Sequence, residues 1–190
     1  MASNELDAAG NPRRESYDEA AIAAMISGAM MGPGNAKLPG GAMQRITRIT
    51  KAVELAKGTF VNEKKVCGLI EAEFDLDDEA LAWLYDCHFE GDPLHPGSMG
   101  GFEPLLQLLG FAGCWFGLQG RGRAQGFGGG TFTAEVKPGD VKLHIQLHVT
   151  TVANRGARFI KGFGAVSVER ADGSVEQSTV MEDMRVVFVD

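Results

Sequence analysis

The amino-acid sequence predicts an α+β domain in which an antiparallel sheet is wrapped around one long apolar central helix, with a short helix ahead of it. Two patterns carry this reading. Residues 104–118 contain no charged side chain, and a helix that is apolar on all sides has to be buried on all sides. Val141, Leu143, Ile145, Leu147 and Val149 alternate with Lys142, His144, Gln146 and His148, the period-two signature of a half-buried strand. The length of 190 residues favours one domain, large enough to hold such a core without a disulfide or metal staple.

The elements follow in chain order. Residues 1–14 read as a flexible tail and 15–190 as a single domain. Ser16-Tyr17-Asp18-Glu19 has the spacing of a capping box, so a short helix should run through Ile26. Gly32-Pro33-Gly34 ends it, and Leu38-Pro39-Gly40-Gly41 continues as loop. Met43 to Leu55 and Thr59 to Phe74 have strand character around a Lys57-Gly58 turn. Asp77-Asp78-Glu79 place acids at the favoured end of a short helical turn through Leu84. Residues 86–102 form a loop rich in Gly and Pro. Pro104 then suits the first position of the apolar helix, where its missing N–H costs nothing. Gly110, Gly113 and Gly117 fall on one face of that helix, a stripe on which another backbone can lie close. Phe159 to Val168 and Val180 to Val189 complete the strands, with Pro138-Gly139 and Asp172-Gly173 as hairpin turns.

Composition narrows the function. A formal net charge of −7 argues against a nucleic-acid partner, because phosphate binding needs a basic surface. The three cysteines, Cys67, Cys87 and Cys114, show neither a CxxC pair nor zinc spacing, which suits reduced thiols in a cytoplasmic protein. Residues 1–15 are polar, unlike a secretory leader. No apolar run approaches the ~18 residues of a membrane helix. The glycines between Gly126 and Gly130 lack the Lys-Ser/Thr end of a phosphate loop.

Chemistry concentrates in the segment from Cys87 to Pro104. His88 has a titration range suited to accepting a proton near neutrality, and His95 has the same claim by type. Glu103 supplies a carboxyl beside the apolar helix, and it also reads as an ordinary helix-start acid favoured by the dipole. Backbone N–H groups around Gly97 suit polarisation of a carbonyl oxygen. One base, one carboxyl and one dipole beside an apolar core fit proton abstraction next to a carbonyl. His144 and His148 share a strand face but lack a third ligand, so a polar sheet face explains them better than a metal pair.

Cys87-His88-Phe89-Glu90-Gly91-Asp92-Pro93, followed by Pro96-Gly97, resembles the signature of the bacterial β-hydroxydecanoyl-acyl-carrier-protein dehydratase/isomerase family. Arg14-Glu15-Ser16-Tyr17, Leu38-Pro39, Gln107-Leu108, Gly110-Phe111, Gly122-Arg123-Ala124 and Phe132-Thr133 are similar to that family in the same order. The resemblance implies a hotdog fold working as a homodimer, with an acyl tunnel at the subunit interface. It implies a catalytic pair, His88 and Glu103, that meet across the dimer. It also implies that Gly97 offers its N–H to the thioester carbonyl, with Phe89 and Pro96 beside the substrate. No metal or other cofactor is implied. The partner is an acidic acyl carrier protein, for which Arg155, Arg158 and Lys161 are docking candidates, with Arg121 and Arg123 behind them. Two departures stand out: the family carries Asp where this chain has Glu103, and Glu103 follows His88 by 15 residues, one more than the family pattern. The extra residue falls within Ser98 to Phe102.

The expectation is therefore a (3R)-hydroxyacyl-acyl-carrier-protein dehydratase that forms a trans-α,β-enoyl thioester, with isomerisation to the cis-β,γ product weak or absent. The pathway is fatty acid, polyunsaturated fatty acid or polyketide synthesis. A hotdog acyl thioesterase and a non-catalytic acyl-binding subunit are the alternatives.

Overall fold

A computed structural model describes residues 6–190. Its centre is a seven-stranded antiparallel sheet curled around one helix. The chain runs through α1 (Glu19–Ser27), β1 (Arg48–Glu54), a small hairpin of β2 (Phe60–Val61) and β3 (Lys64–Lys65), β4 (Gly68–Asp75) and α2 (Asp78–Cys87). A π-helical segment (Ser98–Phe102) leads into α3 (Glu103–Trp115), followed by β5 (Arg121–Gly126), β6 (Gly129–Phe132), β7 (Lys142–Ala153), β8 (Arg158–Glu169) and β9 (Val175–Val189). The sheet order is β1-β4-β7-β8-β9-β5, with β6 also paired to β9. An antiparallel sheet holding one central helix is the hotdog fold.

The core follows from the two patterns read in the sequence. Leu105, Leu108, Leu109 and Ala112 of α3 are fully buried against Leu143, Ile145, Leu147 and Val149 of β7, Ile160 and Val166 of β8, and Met181 and Met184 of β9. The alternate residues of β7 point the other way and carry an ion-pair lattice. In it Arg48 bonds Glu73 and Asp75, Lys142 bonds Glu73, and His144 Nε2 lies 2.7 Å from Glu169.

Several local expectations are corrected. The N-cap of α1 is Asp18, whose carboxylate accepts from the Ala21 N–H at 2.9 Å, rather than Ser16. Both residues are good caps, and Tyr17 decides between them: its N–H and C=O bond across to Ile49, which keeps the chain extended past Ser16. Residues 1–5 of the expected tail lie outside the described residues. Residues 6–14 fold back onto the domain instead: Ala8 is buried, its N–H donates to Cys114 O, and Trp115 Nε1 donates to Arg14 O at 2.9 Å. Helix α2 reaches Cys87, beyond the expected single turn, because Asp77 caps it and Leu81, Leu84 and Tyr85 bury one face. Pro138-Gly139 turns the chain into β7 but closes no hairpin, since β6 pairs with β9 and β7 with β4 and β8.

Candidate active site

The loop after α2 and the start of the central helix bring the candidate groups to one end of the fold. His88 is the C-cap of α2, with its N–H on Leu84 O. Its ring stacks on Phe89, centroids 4.1 Å apart, and its Nδ1 lies 3.2 Å from Leu94 O. A carbonyl oxygen only accepts, so in the neutral ring Nδ1 carries the proton and Nε2 presents a lone pair. His88 is half-buried.

His95 is a different kind of group. It is 4% exposed, its Nδ1 lies 3.2 Å from Pro96 O, and its Nε2 is buried without a partner. Burial pushes its pKa down to about 4, with the nearby Arg45 and His88 charges acting in the same direction. His95 is a neutral wall residue rather than an accessible base. The pH dependence of stability should show it. The unfolded state protonates as pH falls below about 6.5 and the folded state only near about 4. Stability is thus fully present above about pH 6.5 and is lost downward by up to roughly 3 kcal/mol, levelling below about pH 4. Equilibrium denaturation across that range checks this, and His95→Met should flatten the decline.

The helix begins earlier than the sequence suggested. From Ser98 to Phe102 it winds as a π turn, closed by Glu103 N–H on Ser98 O, and only then tightens to α. The resemblance implies one extra residue within this segment, and a π turn is a way for a helix to take up a single residue. Its two glycines are there for close approach. A Cβ on Gly100 would lie 2.7 Å from His95 Nδ1, and one on Gly101 would lie 2.3 Å from Thr179 Oγ1. Gly97 stands at the leading end of the helix, where an N–H has no intrahelical acceptor. A Cβ there would run into the Phe132 ring.

Glu103 follows the π turn and lines a cavity of about 170 Å³. Met25 of α1, Leu38, Pro39, Leu106, Gly110 and Cys114 supply much of its apolar wall. Glu103 Oε1 accepts from Gln107 Nε2 at 3.0 Å. Gln107 Nε2 also donates to Met43 O, and its Oε1 accepts from Arg45 N–H. Arg45 is 1% exposed, with Nε on Met99 O; burial lowers its pKa and the Glu103 charge opposes that. Sequence reading missed Gln107 and Arg45 as site residues. The Glu103–Gln107 spacing of one helical turn was the available signal for the first; Arg45 lies 62 residues from Gln107 and gave none. His88 does not line the cavity.

The docking candidates lie along the β7–β8 turn and the start of β8. Arg155 is exposed in the β7–β8 turn, and Lys161 sits beside Phe159. Arg158 is paired with Asp190, which takes up its charge. The register adds Arg185, which is opposite Lys161, and places Arg123 opposite Val187. Arg121, Arg123, Lys161 and Arg185 therefore share the outer face of β5, β8 and β9, while Gly122, Ala124 and Val186 wall the cavity on the inner face.

A family model described as a FabA-like domain matches residues 38–174. Among solved structures, the chain is similar to the dehydratase domain of PpsC from Mycobacterium tuberculosis in complex with C12:1-CoA. That match has 17% identity, a TM-score of 0.49, and covers all of this chain and 55% of that one. A thioesterase family protein from Silicibacter pomeroyi matches at 16% identity and TM-score 0.44, covering 73% of this chain and 85% of that one. AziG of S. sahachiroi matches at 15% identity and TM-score 0.44, covering 64% and 83%.

Proposed function

Because the chain belongs to the FabA-like domain family, we propose that it is a (3R)-hydroxyacyl-thioester dehydratase acting on chains borne by an acyl carrier protein. The observation that carries the reading is Glu103, the one acidic residue lining an otherwise largely apolar cavity. That is the environment a 3-hydroxyacyl chain needs, a hydroxyl next to a hydrocarbon. His88 Nε2 takes the proton from the carbon next to the thioester carbonyl. The Gly97 N–H, at the positive end of the central helix, steadies the enolate oxygen that results, with Phe89 and Pro96 flanking it. The electron pair then closes the double bond and the C3–O bond breaks. The departing hydroxide leaves as water with the proton His88 removed, delivered through Glu103. Elimination of this kind requires only acid–base catalysis.

Within one protomer no hydrogen bond joins His88 and Glu103 among the described residues, which suits a pair completed by a second copy. Among the described residues the strand edge formed by β5 and β6 pairs only with β9, and Phe127 and Phe132 beside it are about half exposed. An open edge carrying exposed aromatic rings favours pairing with another chain. The homodimer would bury this edge.

A thioesterase reading has one observation in its favour: the buried Arg45 cation near Glu103 suits an ionised carboxylate that activates water. Incubating the purified protein with a 3-hydroxydecanoyl thioester separates the readings. Dehydration is expected, with little β,γ-enoyl product, because Glu103 is longer than Asp and follows an extra residue. Thioester hydrolysis without water loss would establish the rival, and no turnover would point to an acyl-binding subunit.

The basic outer face supports carrier docking, since an acidic partner needs local positive charge on a chain that is net negative. Arg155→Glu with Lys161→Glu should slow a carrier-linked substrate and spare a pantetheine analogue. Equal slowing of both would reject the docking role.

A further inference from the structure

We propose that Gly110 sets the length of the acyl chain this protein accepts, an inference that rests on the acyl reading above. Glu103, Leu106, Gln107, Gly110, Phe111 and Cys114 line the cavity, and their spacing places them on one face of α3. That face is a track. Its polar end is Glu103, and Cys114 lies 11 residues further on, about 16 Å along the helix axis. A chain whose hydroxyl meets Glu103 runs along this track, and Gly110 stands midway.

The two glycines of α3 are glycines for different reasons. At Gly113 a Cβ would fall 2.1 Å from Phe188 Cζ, so packing forbids a side chain there. At Gly110 a Cβ would meet nothing within 4 Å among the described residues. Packing therefore does not require Gly110, and glycine inside a helix is unfavourable relative to alanine. What the missing side chain supplies is room in the cavity. A cavity of ~150 Å³ takes up a benzene, so the 170 Å³ here holds roughly six carbons beyond Glu103. A leucine side chain at position 110 would take up most of that space.

The test is calorimetric binding of butyl, octyl and decyl thioethers of pantetheine, which bind without turnover. Wild type should favour the longer chains. Gly110→Leu should keep butyl affinity and lose decyl affinity by about tenfold or more, the equivalent of two displaced methylenes. Gly110→Ala should shift the preference in the same direction by less, while raising the melting temperature. Unchanged length preference in both variants, or equal loss for all three probes, overturns the inference while leaving the acyl site standing. Absence of binding to wild type by every probe would instead remove the acyl reading itself.

Discussion

Replacing His88 with alanine is expected to lower dehydratase turnover by about 10²–10⁴-fold and to leave the fold in place. The side chain is half-buried at the end of α2, where the cap is made by its backbone N–H rather than its ring. The alanine variant keeps that cap and loses only the stack on Phe89 and the hydrogen bond to Leu94 O. One neutral hydrogen bond is worth about 1 kcal/mol, so the melting temperature should move little. Turnover has no comparable substitute, because the other histidine of the loop is sealed behind Gly100 with a pKa near 4. Initial rates on a 3-hydroxyacyl thioester, read beside a circular-dichroism melt, decide it. Near-wild-type turnover in a folded His88→Ala protein would assign the proton transfer to another group.

Mixing two inactive proteins should restore activity. His88→Ala and Glu103→Ala homodimers each lack one member of every site. If each site draws its base from one protomer and its carboxyl from the other, a mixed dimer holds one intact site and one lacking both groups. With random exchange half the dimers are mixed, so about a quarter of wild-type activity should return. Subunit exchange followed by a rate measurement, with mixed dimers counted by native mass spectrometry, makes the comparison. Mixed dimers that remain inactive would place both groups of a site on one chain.

The parts of this fold that were legible in the sequence are those written in local periodicity. A charge-free run that ends in Leu118 can only be a buried element, and β7 announced its two faces by alternation. Asp77-Asp78-Glu79 marked a helix start correctly, and only the extent of α2 was underread, since its end depends on how Leu84 and Tyr85 pack. The candidate groups were legible as a loop and as residue types, yet not as an arrangement. His88 and His95 are equivalent in sequence; burial separates them, through the fit of His95 against Gly100. Arg45 precedes β1 and touches the site only because the sheet brings it under the central helix. The basic face was half legible: Lys161 belongs to it, Arg158 is spent on Asp190, and Arg185 joined through strand register.

The π turn ahead of Glu103 also bears on how such a chain tolerates a change in its own length. A helix closed entirely by α bonds would pass an inserted residue on to every later position, rotating the whole buried face by about 100°. Here the widened turn between Ser98 and Phe102 precedes the α bonds, and Leu105, Leu108, Leu109 and Ala112 are buried beyond it. A residue gained or lost in that turn would be absorbed upstream of the core, and the residue it acts on first is the carboxylate itself. The turn can therefore alter the reach of the acid without renegotiating the packing of the helix that carries it.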